Sequence, residues 1–137
     1  MWKDVCLIHP GLAGIYENDQ DIRNIVELIL LEQDFSTLSI PEPDDLLNII
    51  QFAPDLILLD EFINNRPGHR LCRKIKNEPR LAATPVIILS TANNIELLVK
   101  ECDANDYLRK PFDIDEMVAK VLRIVDHQPL TYYKKQF

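Results

Sequence analysis

Four groups of polar residues stand directly after apolar runs in this sequence, at positions where buried strands would end. These groups are Glu17-Asn18-Asp19, Asp60, Ser90-Thr91 and Lys110-Pro111. Carboxylate oxygens bind a hard divalent cation, an ammonium group neutralises phosphoryl oxygens, and a hydroxyl donates a hydrogen bond to them. The set is therefore typical of phosphate chemistry, with the lone aspartate Asp60 as the nucleophile.

Asp60 is the most informative of these residues, because it closes the run Pro54-Asp55-Leu56-Ile57-Leu58-Leu59-Asp60. The four consecutive aliphatic side chains are apolar on both faces and too few for a helix, which predicts a strand buried in the middle of a parallel sheet. Open α/β sheets bind their ligands beyond the carboxyl ends of the strands. The structural alternative is that Asp60 only caps the next turn.

A regular alternation of apolar runs and amphipathic segments predicts the elements that position these groups. Beyond the first strand, we expect strands at 35–40, 56–60, 85–89 and 106–109, and helices at 21–32, 44–52, 68–76, 94–102 and 113–125. Asp113 is the expected N-cap of the last helix, with Glu116 completing a capping box. Five strands alternating with five helices predict an α/β fold with one parallel sheet covered on both faces.

Two segments compete for the first strand. Val5-Cys6-Leu7-Ile8 is the better apolar run, whereas the alternative at 12–16 is weakened by glycine. We prefer the first, which makes residues 9–15 an atypical insertion in a domain that spans 1–126. Residues 127–137 then form a short tail in which no effector domain fits.

The composition excludes several function classes. A chain of 137 residues with 47% hydrophobic content is the size of one ordinary globular domain. Its formal charge of −7, without a dominant basic cluster, argues against DNA binding. The sequence has no secretory leader and no run of membrane-spanning length, so we expect a cytoplasmic protein that does not contact a membrane.

The positions of the cysteines and the small number of glycines exclude further classes of protein. Cys6, Cys72 and Cys102 lie far apart without metal-like spacing, so we expect buried thiols of a reducing compartment. The chain holds only three glycines, and no glycine-rich phosphate loop follows a strand. A small flavodoxin-like enzyme or nucleotide binder is therefore disfavoured.

Four motifs in combination resemble the receiver domains of bacterial two-component response regulators, of the stand-alone chemotaxis-regulator type. They are Glu17-Asn18-Asp19-Gln20-Asp21-Ile22-Arg23, Pro54 to Asp60, Pro85-Val86-Ile87-Ile88-Leu89-Ser90-Thr91 and Ala104-Asn105-Asp106-Tyr107-Leu108-Arg109-Lys110-Pro111-Phe112. The resemblance implies a flavodoxin-like, doubly wound sheet with strand order 2-1-3-4-5. It also implies that Asp60 accepts a phosphoryl group from a histidine kinase or a histidine phosphotransfer protein, with Mg²⁺ bound beside it.

The same resemblance implies a role for each remaining site residue. Ser90 is the switch hydroxyl that bonds the phosphoryl group, Lys110 pairs with that group, and Tyr107 is the aromatic switch residue. The implied Mg²⁺ ligands are Glu17, Asn18, Asp19, Asp60 and the backbone carbonyl of Phe62. Self-catalysed phosphoryl transfer and hydrolysis are the only expected chemistry. The output is expected to be contact with a downstream protein through the face of the fourth helix, fifth strand and fifth helix.

Several departures from the family pattern bear on function. Asn18 stands where the family usually has an acid, so the affinity for Mg²⁺ should fall unless Asp19 substitutes. Asp103 replaces a usual glycine, and aspartate tolerates left-handed backbone geometry better than most residues. The apolar Phe62 and Ala92 stand where polar side chains would position water, which predicts slow autodephosphorylation. The alternative function is a degenerate, phosphorylation-independent interaction module.

Overall fold

A central sheet of five parallel strands organises the computed structural model, which describes residues 11–39, 46–63 and 66–126. The strands are β1 (Gly11–Tyr16), β2 (Phe35–Ser39), β3 (Leu56–Asp60), β4 (Val86–Ser90) and β5 (Asp106–Arg109). Their order across the sheet is β2-β1-β3-β4-β5. The predicted α/β class and strand order are confirmed.

Five helices connect and cover the strands. They are α1 (Gln20–Glu32), α2 (Leu46–Phe52), α3 (Gly68–Asn77), α4 (Ile95–Cys102) and α5 (Ile114–Asp126). A short antiparallel hairpin, formed by Phe62–Ile63 and Arg66–Pro67, lies between β3 and α3. Among the described residues, no helix has both the length and the apolar character that crossing a bilayer requires.

The side chains of β3 alternate between two hydrophobic cores, which explains its uninterrupted apolar sequence. Leu56 and Leu58 belong to the core beneath α1 and α5. Ile57 and Leu59 belong to the core beneath α2, α3 and α4. Because β3 pairs with β1 on one side and β4 on the other, it is enclosed by strands as well as by helices. Asp60, at its carboxyl end, is therefore held on a rigid element.

The first strand corrects the preferred prediction. β1 is Gly11–Tyr16, so residues 11–15, which were assigned to an insertion, belong to the strand between β2 and β3. The competing segment Val5–Ile8 lies outside the described residues. The penalty for glycine in a strand, about 0.5–1 kcal/mol, is small beside the pairing of Gly14 with Leu38 and Ile57 on its two sides. Glycine content was therefore a poor reason to reject this strand.

Most other element boundaries agree with the sequence predictions to within two residues, and two local predictions are confirmed. The Asp113 side chain accepts a hydrogen bond from the Asp115 N–H at 3.1 Å, as expected of an N-cap. Asp103 ends α4 with a φ of 62°, in the left-handed region where glycine is usual. The predicted residues 40 and 44–45 of the second strand and second helix lie outside the described residues, as does the tail at 127–137.

Gly11 is needed at the start of β1 for two physical reasons. Its φ is 127°, which strains any residue with a Cβ atom, and a Cβ atom there would overlap the Asp55 carboxylate. That carboxylate accepts the Leu12 N–H at 2.8 Å. We expect Gly11→Ala to lower the free energy of unfolding by about 1–3 kcal/mol, measured by urea denaturation. Ser36→Ala, at an exposed position of β2, is the control, and an equal loss in both variants would contradict the account.

Candidate functional site

The predicted site residues meet at the edge of the sheet formed by the carboxyl ends of the strands. Asp60 and Ser90 are the last residues of β3 and β4, while Glu17 and Lys110 directly follow β1 and β5. The strands are parallel, so their carboxyl ends lie side by side. β1 and β3 are neighbouring strands, so Glu17 and Asp60 lie next to each other at this edge of the sheet.

One ammonium group binds both carboxylates of this site. Lys110 Nζ lies 2.7 Å from Glu17 Oε1 and 3.0 Å from Asp60 Oδ1. The side chains are largely buried, with exposed fractions of 14% for Lys110, 1% for Glu17 and 13% for Asp60. Buried charges of this kind are retained only when they are paired. Two acidic side chains therefore share one ammonium group.

The pKa values of the trio reflect this shared burial. Burial raises the pKa of Glu17; the hydrogen bond from Lys110 opposes that rise, and the neighbouring Asp60 carboxylate adds to it. Burial alone would lower the pKa of Lys110, but its hydrogen bonds and attraction to Glu17 and Asp60 outweigh burial and raise it. Lys110 therefore stays charged, and an additional cation beside the two carboxyl groups would oppose the rise in the pKa of Glu17.

Ser90 is fixed beside the trio by backbone contacts. Its side chain is buried, and its hydroxyl oxygen accepts the Ala92 N–H at 2.9 Å. Its carbonyl accepts the Lys110 N–H at 2.9 Å, which fixes the start of the Lys110 segment to the end of β4. Ser90, Asp60 and Lys110 thus occupy one small region, as the sequence predicted from their separate strand ends.

The two acids of the loop after β1 have different roles: Glu17 belongs to the site and Asp19 caps a helix. Glu17 points into the site, and its Oε2 also accepts the Asp19 N–H at 3.2 Å. Asp19 caps α1, since its Oδ1 accepts the N–H groups of Asp21 and Ile22 at 2.9 and 3.2 Å. Asn18 and Asp19 are exposed at the edge. Within the described ranges, no group of three or more histidine, cysteine, aspartate and glutamate residues is arranged to hold a metal.

The donor set still suits a hard cation. Glu17 and Asp60 offer carboxylate oxygens that approach the same ammonium group, so they lie close enough to bind one ion together. Glu17 Oε1 is buried and has Lys110 as its close polar contact. Oxygen donors are the ligands that Mg²⁺ prefers, and it usually keeps several waters beside one or two carboxylates.

Sequence inspection missed the contacts that hold the backbone on the far side of Asp60. Glu61 is buried, and its Oε1 lies 2.7 Å from His69 Nδ1 on α3. The Gly68 N–H donates to the Glu61 carbonyl, and a Cβ atom on Gly68 would overlap the Asp60 carbonyl oxygen. The close approach of α3 to the site therefore requires glycine at this position. In the sequence, the only feature that pointed to the Glu61–His69 pair was the acidic residue directly after Asp60.

A second network surrounds Tyr107 on β5. The Tyr107 hydroxyl donates to Glu96 Oε1 at 3.1 Å, and Arg109 Nη2 lies 2.6 Å from the same oxygen. Lys120 Nζ lies 4.5 Å from the centre of the Tyr107 ring and 3.2 Å from Asp106 Oδ1. The hydrogen bond to Glu96 raises the pKa of Tyr107. These contacts hold the Tyr107 hydroxyl at the surface between α4 and α5.

Comparison with known proteins agrees with this geometry. The profile of the response regulator receiver domain matches residues 14–122. The chain belongs to the response regulator receiver family. This receiver domain is 31% identical to the response regulator ArlR of Staphylococcus aureus over 118 residues, which are 84% of this chain and 52% of ArlR.

Two further proteins are similar to this chain, one in sequence and one in structure. The DNA-binding dual master transcriptional regulator RpaA of Synechocystis is 38% identical over 85 residues, which are 58% of this chain and 35% of RpaA. The receiver domain of NtrX from Brucella abortus superimposes with a TM-score of 0.74 at 26% identity, over 85% of this chain and 99% of that one. The receiver domain thus spans about half or less of the curated relatives' length.

Removal of the Lys110 ammonium group should destabilise the protein, because Glu17 and Asp60 lose their shared partner. We expect Lys110→Met to lower the free energy of unfolding at neutral pH by about 3–5 kcal/mol, because two buried charges lose their partner. Glu17 already has a pKa raised above its ordinary 4.5, so stability falls as the pH rises from there. The variant should therefore regain stability on acidification towards that value.

Two matched controls accompany this measurement. Lys74→Met removes an exposed lysine from α3 and should change stability little. The double variant Glu17→Gln, Lys110→Met removes one of the two orphaned charges, so it should be more stable than Lys110→Met alone. Denaturant titrations that give Lys110→Met the same loss as Lys74→Met, or no recovery in acid, would rule out the shared ion pair.

Proposed function

We propose that this receiver domain is a phosphoacceptor switch in a two-component or phosphorelay system, phosphorylated on Asp60. The observation that carries the proposal is the Asp60 carboxylate held 3.0 Å from Lys110 Nζ, in a mostly buried acidic site that also contains Glu17 and Ser90. The phosphoryl donor is a phosphohistidine of a histidine kinase or a histidine phosphotransfer protein.

The side chains supply most of the required chemistry. An oxygen of the Asp60 carboxylate attacks phosphorus, so that a P–O bond forms while the P–N bond to the donor histidine breaks and the imidazole nitrogen keeps the electron pair. Lys110 neutralises the phosphoryl oxygens, and the Ser90 hydroxyl turns to donate a hydrogen bond to one of them. Mg²⁺, when bound, would supply further positive charge against these oxygens.

The proposed metal ligands are a subset of those expected from the sequence. Glu17, Asp60 and the backbone carbonyl of Phe62 would hold Mg²⁺, with the Asn18 amide oxygen and waters completing the set. Asp19 is not included, because its carboxylate already caps α1. The acid replaced at Asn18 is therefore not compensated by its neighbour, and we expect weak Mg²⁺ binding.

Restoring the missing acid should strengthen the metal site. We expect Asn18→Asp to lower, several-fold, the Mg²⁺ concentration that gives half-maximal phosphorylation, since a carboxylate adds a charged oxygen ligand. Asp19→Asn is the matched control: asparagine also caps helices well, so this variant should keep the wild-type Mg²⁺ dependence. A large loss of Mg²⁺ affinity in Asp19→Asn would place Asp19 among the ligands instead.

A continuous set of contacts supports signalling from Ser90 to the face formed by α4, β5 and α5. The Ala92 N–H is bound to the Ser90 hydroxyl, and the Ala92 carbonyl accepts from Arg109 Nη1 at 3.1 Å. Arg109 in turn pairs with Glu96, which accepts the Tyr107 hydroxyl. When Ser90 turns to the phosphoryl group, the Ala92 segment loses its hydrogen bond. Tyr107, the expected switch residue, then shifts towards a second packing arrangement, and a downstream protein binds one of the two arrangements.

The direct test is phosphorylation by acetyl phosphate with Mg²⁺, followed by intact-mass measurement. We expect the mass of one phosphoryl group to be added to the wild-type chain, and none to Asp60→Asn. Asp21→Asn, which changes an exposed acid in the first turn of α1, is the control and should be phosphorylated normally. An adduct that persists in Asp60→Asn, or no adduct at high Mg²⁺, would contradict the proposal.

The phosphorylated form should be long-lived. Phe62 and Ala92, two residues after Asp60 and Ser90, have no polar side-chain atom with which to orient an attacking water. We expect the phosphoryl group to persist for minutes or longer after acetyl phosphate is removed, and Phe62→Asn to shorten its lifetime. Timed intact-mass measurements follow the decay; a wild-type lifetime of seconds would refute this expectation.

The second candidate is a phosphorylation-independent interaction module. The exposed Asn18 and the use of Asp19 as a helix cap favour it, because both reduce the charge available to a metal. Its distinguishing result is a partner that binds wild type and Asp60→Asn equally well. The retained Lys110–Asp60 contact favours the phosphoacceptor, since an unused site has no need of a buried charged trio.

A further inference from the structure

Two buried cysteines from neighbouring helices lie against each other on the side of the sheet away from α1 and α5. Cys72 is on α3 and Cys102 is the last residue of α4, with exposed fractions of 0% and 1%. Cys72 Sγ lies 3.4 Å from the Cys102 carbonyl oxygen. Both are free thiols and belong to the same hydrophobic core. The Cys72 sulfur therefore lies beside the backbone of Cys102, and the two thiol side chains are close enough to shift each other's pKa.

The surroundings give the two sulfurs different chemical character. A hydrogen bond from the Cys72 thiol lowers the pKa of Cys102 to about 7 against the effect of burial, and the Ala104 N–H and the charge of His69 add to this, while Glu61 opposes it. The same hydrogen bond, together with burial, raises the pKa of Cys72. Of the two thiols, Cys102 therefore has the greater thiolate character. A reactive thiolate beside a second thiol is the arrangement that oxidation to a disulfide requires.

We propose that Cys72 and Cys102 form a reversible disulfide between α3 and α4 when the receiver domain meets a hydroperoxide. The Cys102 thiolate attacks the peroxide, so that an S–O bond forms and the O–O bond breaks, leaving a sulfenic acid and hydroxide from hydrogen peroxide or an alkoxide from an organic hydroperoxide. Cys72 Sγ then attacks the Cys102 sulfur; the S–S bond forms, the S–O bond breaks, and water leaves. The two thiols supply both electrons, and a dithiol reductant reverses the step.

The location gives the disulfide a consequence for signalling. Cys102 ends α4 and leads through Asp103 into β5, which carries Tyr107. A covalent bond to α3 would fix the carboxyl end of α4, and so restrict movement on one side of the α4–β5–α5 face. Since both thiols are buried, only a small oxidant reaches them, through transient opening at the end of α4.

The proposal is tested by exposing the fully reduced protein to hydrogen peroxide, without Mg²⁺ or phosphodonor, and measuring intact mass under denaturing conditions. We expect the loss of two hydrogens, restoration by dithiothreitol, and a linked peptide pair that contains Cys72 and Cys102. This readout does not depend on phosphorylation of Asp60, so its failure and the failure of the proposed function are distinguishable.

Variants decide which thiols take part. Cys6→Ser should form the disulfide as wild type does, whereas Cys72→Ser should stop at a Cys102 sulfenic acid that dimedone traps. Cys72→Ala serves if the serine variant does not fold, as judged by circular dichroism. The proposal is overturned if wild type loses no hydrogens while its thiols oxidise further, or if the linked peptides contain Cys6.

Discussion

The Lys110 ammonium group, held between the carboxylates of Glu17 and Asp60, is the interaction on which the rest of the site depends. Three strands must end at the same height for these side chains to meet, because Glu17 follows β1, Asp60 ends β3 and Lys110 follows β5. Desolvating three charges is costly and their mutual attraction offsets that cost only in close geometry, which the 2.7 and 3.0 Å separations provide. The parallel sheet is what makes this geometry possible.

The same trio explains how one phosphoryl group would change a distant surface. Asp60 and Lys110 sit beside Ser90, and the backbone of Lys110 is hydrogen-bonded to the Ser90 carbonyl. The Ser90 hydroxyl accepts the Ala92 N–H, and the Arg109 side chain donates to the Ala92 carbonyl. A change in either hydrogen bond therefore affects the other through the Ala92 backbone. Close packing of α3 against the Asp60 backbone, through Gly68, leaves the β3 side of the site less room to move. Movement is therefore expected on the side of β4, α4 and β5.

The sequence was sufficient for the parts of the fold that depend on repeated patterns. The buried run before Asp60 and the capping Asp113 lie where local physical rules predicted them, and the left-handed Asp103 lies where the family pattern usually has glycine. The first strand was misassigned, because apolar content favoured Val5–Ile8, while the pairing that selects Gly11–Tyr16 is a property of the whole sheet. Asp19 could equally have been a ligand or a helix cap from its sequence position, and only the start of α1 at Gln20 decides for the cap. The contacts of Glu61 with His69 and of Cys72 with Cys102 join separate elements, so local sequence patterns do not predict them.

The most direct test of this account is the ¹H–¹⁵N NMR spectrum of the receiver domain with Mg²⁺, before and after addition of acetyl phosphate. The backbone amide of Ala92 now donates to the Ser90 hydroxyl and that of Lys110 to the Ser90 carbonyl, so both should shift when Ser90 and the Lys110 side chain turn to a phosphoryl group on Asp60. The account predicts that these amides, with Asp60 and its neighbours, show the largest changes, followed by Tyr107 and Arg109. Unchanged spectra, or changes confined to residues remote from Asp60, would contradict it.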